Sequence, residues 1–256
     1  MPSELGDFLR ARRADASLAP AHANDSGRRR LPGLRREEVA TAAGISVDYY
    51  TRLEQGRESN PSESVVNALA RALHLSPDAR EHLLHLRRAG PSSRAARAES
   101  APLGARMSAM VDALSPNPAY VLDRLSNMVA VNAEGLALYD GFAELAPEDR
   151  NTCRYLLTDP RARQVFVEWE PIARGAVAQL RAANSDDLRN PDLQAIVHEL
   201  RDRSPQFAEW WGEHVVERRR GSVTHIRTDT GVVARQYEVL HLPDETLRMT
   251  LWLPAT

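Results

Sequence analysis

The chain of 256 residues is 43% hydrophobic and 27% charged, which excludes a disordered protein and predicts one or two folded domains. Its formal net charge of −2 excludes binding to nucleic acid through overall charge, so any DNA-binding surface must be local. All 33 basic residues are arginine, which excludes phosphate-binding loops and Schiff-base chemistry that need a lysine amine.

The cysteine content and the hydropathy predict a cytoplasmic protein. Cys153 is the only cysteine, so no internal disulfide can form, which fits a reducing compartment. The N-terminus lacks an apolar signal region, and no run approaches 18 apolar residues. We therefore expect neither secretion nor a membrane partner.

The first ninety residues follow the pattern of five short helices. Apolar residues at helical spacing, together with serine caps and Pro77 at a first helical position, mark where these helices begin. Residues 14–33 are rich in Ala, Asp, Ser, Gly and Arg and are expected to form a loop. The helices are predicted at 4–13, Arg35–Ala43, Ser46–Gln55, and after the caps Ser62 and Ser76.

The second and third of these helices form a helix-turn-helix pattern. Gly44 separates them by a tight turn, and Ser46 caps the second helix. Tyr50 and Leu53 lie three residues apart on the inner face. Val47, Asp48, Thr51 and Arg52 then face outward, toward base edges and phosphates of a DNA major groove. The alternative is a plain hairpin of two helices without a DNA partner.

Individual side chains of this outer face suit particular contacts. Arg52 alone among them can make a bidentate contact to guanine O6 and N7. Thr51 can meet a thymine methyl group, and Asp48 can accept a hydrogen bond from a cytosine amine. Arg57 and Asn60 follow the helix and suit contacts to the DNA backbone, which fix the register without reading sequence.

A change of composition divides the chain. Residues 89–105 are rich in Pro, Ser, Ala and Gly, so we assign a DNA-binding domain to 1–90, a linker to 91–105 and a second domain to 106–256. The second domain shows five β-favourable runs and predicted helices at 133–145, 161–183, 190–201 and 204–213. This mixture predicts an α+β domain with an antiparallel sheet. The runs are 118–123, 127–132, 223–227, 232–240 and 247–253.

Four aromatic residues of the second domain are candidates for lining a ligand pocket, although packing in the core is the more frequent role of such residues. They are Tyr120, Trp169, Trp210 and Trp211. Trp210 and Trp211 are adjacent on one predicted helix, so we expect only one of them to point inward and the other to face a cavity or a partner subunit. The run Arg218–Arg220 is interpreted as a solvated approach to a strand.

Two stretches of the sequence resemble known families. The first, LRREEVATAAGISVDYYTRLEQGRESNPS, is similar to the helix-turn-helix of the XRE and phage-repressor family, with Ala40, Gly44 and Glu54-Gln55-Gly56 at its characteristic positions. Beyond the linker, NPAYVLDRLSNMVAVN, LLTDP and ELRDRSPQFAEWW resemble the ligand-binding half of MmyB-type regulators. The family tends to carry a His-Pro before the glycine that opens its penultimate strand; here His225 begins a run without proline to Gly231.

The resemblance implies both a fold and site residues. The fold is a five-helix lambda-repressor-like domain followed by a PAS-like sensor domain whose ligands are fatty acids or similar apolar molecules. Carried over residue by residue, it places Arg36 at the start of the first motif helix, where phosphate contact is usual. It places five further positions on the recognition helix: Ser46, Val47, Asp48, Thr51 and Arg52.

We therefore expect a transcription regulator, a repressor that binds double-stranded operator DNA as a homodimer and senses a small apolar molecule such as a fatty acid. No coherent nucleophile, metal or cofactor motif is present, so we expect no enzyme activity and no cofactor. Two alternatives remain for the second domain: a module for protein interaction or dimerisation, and an enzyme domain that metabolises the ligand.

Overall fold

The computed structural model describes residues 3–16, 33–58, 60–88, 100–242 and 247–255. The chain divides into two compact units, one of Met1–Pro91 with Glu213–Val216 and one of Ser92–Gly212 with Glu217–Thr256. Most of the predicted loop at 14–33 and residues 91–99 of the predicted linker lie outside the described residues. The remainder of that linker differs from the prediction, because the chain is helical from Ser100 onward.

Five helices form the described part of the first unit, as predicted. Their apolar stripes meet in one core, in which Phe8, Val39, Leu53, Leu69 and Leu83 are fully buried. Serine side chains cap the third and fourth helices by accepting a backbone N–H of the first turn. The helices are α1 (Glu4–Asp15), α2 (Arg36–Ala43), α3 (Val47–Glu54), α4 (Glu63–Ala72) and α5 (Pro77–Arg88).

The turn between α2 and α3 depends on Gly44. Its φ of 66° is in the left-handed region, which glycine adopts without the steric cost of a Cβ atom. The N–H groups of Gly44 and Ile45 donate to the carbonyls of Thr41 and Ala40, which closes the end of α2. Ser46, only two residues after the turn glycine, then caps α3.

The second unit contains five strands: β1 (Ala119–Asp123), β2 (Met128–Val131), β3 (Ser222–Thr228), β4 (Gly231–His241) and β5 (Leu247–Pro254). They form one sheet in which every pair of neighbours is antiparallel, in the order β2-β1-β5-β4-β3. The first two strands form the predicted hairpin, and the long pairing of β4 with its neighbours extends the sheet. The five predicted strands are therefore confirmed.

One face of the sheet is covered in part by helix α6 (Ser100–Asp112). Met107 and Val111 pack with Val121 and Met249 in an apolar cluster, and Leu103 adds to it. This burial of apolar side chains explains why a segment with a linker-like composition is helical. Tertiary packing has overridden local composition here.

The helices between β2 and β3 differ in detail from the prediction. The segment predicted as one helix at 161–183 is two, because Phe166 forms a bridge with Ile226 of β3 and interrupts the helical pattern. A helix at Thr152–Thr158 was missed, and the predicted helix at 133–145 ends at Ala137, before two short 3-10 turns. The helices are α7 (Ala133–Ala137), α8 (Thr152–Thr158), α9 (Arg161–Val165), α10 (Trp169–Ala183), α11 (Pro191–Arg203) and α12 (Pro205–Gly212).

Candidate functional sites

Helix α3 has one face anchored in its domain and one face open. Tyr50 and Leu53 are fully buried, whereas the side chain of Arg52 is 48% exposed and that of Asp48 is 79% exposed. Val47 is also exposed, and Thr51 is half-buried. The predicted division of this helix into an inner and an outer face is therefore present in the structure.

The outer face carries its own weak contacts. The guanidinium of Arg52 lies 3.5 Å from the Asp48 carboxylate one turn earlier and 5.8 Å from the centre of the Tyr49 ring. Exposed pairs of this kind contribute less than about 1 kcal/mol, so they can be exchanged for contacts with a base or a phosphate. The hydroxyl of Ser46 accepts the N–H of Tyr49 at 3.1 Å, so its first role is to cap the helix.

A buried carboxylate fixes the end of α3, and sequence reasoning missed it. Glu54 is fully buried; its Oε1 lies 2.6 Å from Nε of Arg13 on α1, and its Oε2 lies 2.7 Å from Nε of Arg36 on α2. Burial by itself would raise the pKa of Glu54, but the hydrogen bonds from Arg13 and Arg36 outweigh it and hold the pKa below its ordinary value. Three helices are thus joined through one side chain.

Close backbone packing supports this junction. A Cβ atom on Gly6 of α1 would lie only 2.5 Å from the carbonyl oxygen of Glu54, so a larger residue would push α1 away from the end of α3. The same carbonyl accepts a hydrogen bond from Arg10 at 2.9 Å. The position of the recognition helix therefore depends on residues that do not belong to the helix-turn-helix itself.

The second unit contains a small cavity between the sheet and the helices α8 and α10. Paired strands bring its walls together: Thr250 of β5 is opposite Tyr120 of β1 on one side and Val239 of β4 on the other. Leu156 of α8 and Ala176 of α10 close the opposite side. The volume is about 20 Å³, enough for a water molecule, whereas pockets for drug-sized ligands measure several hundred Å³.

An aromatic hydrogen-bond network lies in one wall of this cavity. The hydroxyl of Tyr139 donates to the hydroxyl of Tyr120 at 2.7 Å, and the indole N–H of Trp252 lies 3.3 Å from the same oxygen. All three side chains are buried. Tyr120 was a predicted candidate for ligand contact; Tyr139 and Trp252 were not found from the sequence.

Two arginines also line the cavity. Arg248 of β5 is buried and donates to the carbonyl of Asp123 and to the hydroxyl of Ser126, both at 2.8 Å. The guanidinium of Arg219 lies over the ring of Tyr237, 4.8 Å from its centre. The interpretation of Arg218–Arg220 as a solvated run is therefore wrong for Arg219, whose side chain faces the cavity.

The comparisons with known families agree with this division of the molecule. A family model described as a helix-turn-helix domain matches residues 4–83, and one described as the MmyB-like transcription regulator ligand binding domain matches residues 103–256, more than half of the chain. The chain belongs to the MmyB-like transcription regulators. No curated protein matches it. The predicted family, the fold class and the general function of a ligand-responsive, DNA-binding regulator are confirmed.

The three tryptophans predicted to contact ligand do not line this cavity of the MmyB-like regulator. Trp169 donates its indole N–H to the carbonyl of Leu156 at 2.7 Å and lies under the guanidinium of Arg163. Trp210 packs beside Trp169, with ring centres 6.0 Å apart. Each side chain therefore has a packing role, and a ligand contact from them stays a prediction.

The expectation that only one of Trp210 and Trp211 points inward is wrong. Both are buried, at 7% and 6% exposure. Trp211 is covered by the guanidinium of Arg181, 4.0 Å from the ring centre, and stacks on Phe207. Both tryptophans of helix α12 are therefore covered. Trp210 packs against an aromatic ring, and Trp211 packs against Phe207 and the guanidinium of Arg181.

The predicted phosphate contact of Arg36 needs revision, because its guanidinium pairs with Glu54. The Arg36 side chain is 43% exposed, so a contact with DNA stays a prediction, but its first role is structural. Arg57 and Asn60 are exposed, as contacts with the DNA backbone require.

Three further properties of this regulator concern metal binding, membrane spanning and the cysteine thiol. In the part of the chain that the structure describes, no three His, Cys, Asp or Glu side chains are grouped so that they could hold a metal ion. None of the described helices is both long enough and apolar enough to span a membrane. Burial raises the pKa of the Cys153 thiol to about 12, so it is protonated at neutral pH.

Proposed function

We propose that this MmyB-like regulator is a cytoplasmic repressor that binds operator DNA as a homodimer through α3 and changes its affinity for that operator when a small molecule enters the cavity of its second domain. The observation that carries the DNA-binding part is the divided face of α3. Tyr50 and Leu53 anchor the helix, and Val47, Asp48 and Arg52 remain exposed on the other side.

Genome-wide DNA pull-down with the purified protein tests this part and identifies the operator. Fluorescence anisotropy on the recovered site should then give specific binding that is at least about a thousandfold tighter than binding to unrelated DNA. A matched variant, Arg52→Ala, should bind the recovered site with relaxed preference at one base pair. Recovery of random fragments only would contradict the proposal.

The homodimer follows from the small size of the recognition surface. One helix reads only a few base pairs, so specific binding normally requires two copies on half-sites one helical turn or a multiple apart. The expected operator is a pseudo-palindrome. Light scattering that finds a monomer both free and on the recovered DNA would contradict this part, as would an operator without repeated half-sites.

Regulation by a ligand follows from linkage. A molecule that changes operator affinity must itself bind more tightly or more weakly, by the same factor, when the operator is bound. Fatty acids or similar apolar molecules are the ligand class that the family resemblance implies. Because the cavity of about 20 Å³ admits only a water molecule, such a ligand must displace lining side chains as it enters.

Native mass spectrometry of the purified protein, followed by titration of the identified molecule against the protein–operator complex, tests the regulatory part. A co-purified small molecule that shifts operator affinity supports a sensor. Co-purification of a protein instead supports the interaction module, and turnover of the molecule supports the enzyme alternative. Transcription from the operator in a reporter strain distinguishes repression from activation.

A further inference from the structure

Four residues between helix α12 and strand β3 belong to the first unit, although the chain on either side of them belongs to the second. They are Glu213–Val216, and we call this segment the strap. Val216 is buried, at 5% exposure, and His214 has a φ of 54°, in the left-handed region that residues other than glycine seldom adopt. Such a backbone conformation persists where surrounding contacts fix it. A short segment from between two elements of the second unit is therefore built into the first.

The strap contacts helix α1 of the first unit through Arg12. The guanidinium of Arg12 donates a hydrogen bond to the backbone carbonyl of Glu213. Burial lowers the pKa of Arg12, whereas the carboxylates of Asp15 and Glu213 act in the opposite direction because they attract the guanidinium. The Arg12 side chain is only 16% exposed. Its charge is thus held largely out of water by its own helix and by the strap.

Helix α1 also positions the end of the recognition helix α3. Arg13, the residue next to Arg12, pairs with the buried carboxylate of Glu54 at 2.6 Å. Arg10, on the same helix, donates to the carbonyl of Glu54 at 2.9 Å. Protein interiors are close-packed, so a shift of α1 cannot leave the end of α3 unchanged. A change in the strap can therefore reach the recognition helix through one intervening helix.

Helix α10 of the second unit holds the chain at both ends of the strap. Before the strap, the carbonyl of Trp211 accepts a hydrogen bond from the Arg181 guanidinium at 2.7 Å. After it, the backbone N–H of Arg219 donates to Oε1 of Gln179 at 2.6 Å. Arg181 and Gln179 are both buried, so water competes little for these bonds. A displacement of α10 would therefore move the chain at both ends of the strap.

We propose that the strap transmits the state of the second domain to the recognition helix by holding α1 in place. The inference rests on the proposed function, which assigns ligand-dependent control of DNA binding to this chain, and it names the segment that connects the two activities. While α10 holds the ends of the strap, the strap fixes Arg12 and α1, and the Glu54 junction keeps α3 in position. Displacement of α10 loosens α1 and weakens operator binding. By linkage, operator binding stabilises the strap in its place.

Hydrogen exchange of the full-length protein, followed by mass spectrometry, tests the proposal without any ligand. Val216→Ala removes two methyl groups from the buried part of the strap, so we expect the amides of α1 and α3 to exchange about fivefold faster or more. Gln179→Met acts from the second unit. It removes the acceptor of the Arg219 N–H and keeps an unbranched side chain of similar length, and it should produce the same faster exchange in α1 and α3.

Val223→Ala is the matched control. It makes the same chemical change on β3, at a position that is 55% exposed, so exchange in α1 and α3 should not change. On the operator recovered by the pull-down, fluorescence anisotropy should give about fivefold weaker binding for Val216→Ala and for Gln179→Met, the lower end of typical couplings between sites. Val223→Ala should bind like the wild type. All three positions lie outside the helix-turn-helix, so loss of a direct base contact would not explain weaker binding.

Several outcomes would overturn the inference. Unchanged exchange in α1 and α3 for both variants would show that the strap does not hold α1. Faster exchange in Gln179→Met that is confined to the second unit would show that the effect stays local, and equally faster exchange in every helix would show only a loss of global stability. Thermal unfolding shows whether Val216→Ala folds. If it does not, Arg12→Met removes the donor to Glu213, keeps the unbranched stem and should give the same result.

The proposed function fails separately. Recovery of random DNA fragments only would contradict the proposed function, and the exchange experiment would still test the strap. A wild-type protein whose operator affinity is shifted by a co-purified small molecule, together with unchanged exchange in both variants, would overturn the inference and leave the regulatory function in place.

Discussion

The two units of this regulator surround their arginines with different partners. In the first, Arg13 and Arg36 close on the fully buried carboxylate of Glu54, and the pair fixes the recognition helix. In the second, Arg219 and Arg248 face a cavity whose described lining contains no acidic residue. One buried carboxylate thus joins three helices in the first unit, whereas the guanidinium of Arg248 in the second donates to a backbone carbonyl and a hydroxyl.

The largest effect is expected from Glu54→Gln, which turns the balanced site into an unbalanced one. The variant leaves two guanidinium groups without their carboxylate, and removal of one partner of a buried pair costs about 3 kcal/mol or more. Urea denaturation should show this loss in the free energy of unfolding, and operator affinity should fall with it. The stabilisation by Glu54 is present above the ordinary pKa of a glutamate and is lost as the pH falls through its lowered value.

Glu37→Gln is the control for that change. The side chain of Glu37 is 60% exposed and lies 3.9 Å from Arg35, so the cost should be below about 0.5 kcal/mol. Equal stability of Glu54→Gln and Glu37→Gln would show that the Glu54 junction does not hold the helices together.

The second prediction separates reading of DNA from stability. Arg52→Ala removes an exposed side chain, so the free energy of unfolding should change by less than about 0.5 kcal/mol. Discrimination at one base pair of the operator should fall by about 1–3 kcal/mol. Competition anisotropy with single-base operator variants measures this loss.

Arg57→Ala is the comparison for Arg52→Ala. Arg57 is exposed just after α3, so its loss should weaken binding on all sequences and reduce the salt slope by about one. Arg36→Ala should weaken DNA binding on all sequences and also lower the free energy of unfolding, because it removes a partner of Glu54. If Arg52→Ala weakened all sequences equally, the assignment of Arg52 to base contact would be wrong.

The first unit could be predicted well from the sequence because its information is local. The inner face of α3, its serine cap and the turn glycine lie within ten residues, so helical periodicity and turn chemistry specify them together. The role of Glu54 could not be predicted in the same way. Its partners Arg13 and Arg36 come from two other helices. No local sequence pattern distinguishes this buried glutamate from an exposed one.

Most of the cavity could not be predicted from the sequence, because its lining residues also come from elements that are distant in the sequence. Arg219 precedes the β3–β4 hairpin in the sequence, and Arg248 follows it. Only the pairing of the strands and the packing of α8 and α10 bring the two side chains to the same cavity. The three tryptophans were candidates from the sequence, but they do not line this cavity. A signal for Tyr120 existed in its position on the first strand; none distinguished Arg219 from the arginines on either side.

The third prediction concerns the aromatic wall of the cavity. Tyr139→Phe removes the hydroxyl that donates to Tyr120 and keeps the ring among its neighbours. Loss of one buried hydrogen bond should lower the free energy of unfolding by about 1 kcal/mol. Tyr49→Phe, at a half-buried position on α3, should change it by less than about 0.5 kcal/mol. An unchanged free energy of unfolding in Tyr139→Phe would show that this hydrogen-bond network does not stabilise the domain.

The smallest effect is expected where a carboxylate accepts hydrogen bonds at the surface, between α10 and β3. Glu168 accepts the backbone N–H of His225 and the hydroxyl of Thr224, both at 2.8 Å, and the first of these contacts contributes most to lowering the pKa of Glu168 to about 2. Because the folded-state pKa is below the ordinary 4.5, this stabilisation is present above pH 4.5 and is lost as the pH falls toward 2. Glu168→Gln should therefore flatten the pH dependence of unfolding in that window.

Glu170→Gln, an exposed neighbour on the same helix, should leave that dependence unchanged. The Glu168 carboxylate is 40% exposed, so solvent screening keeps the total change small compared with that of Glu54→Gln. If Glu168→Gln destabilised the protein as strongly as Glu54→Gln, burial would not be what separates the two carboxylates. The contrast between the buried and the surface carboxylate would then need another physical basis.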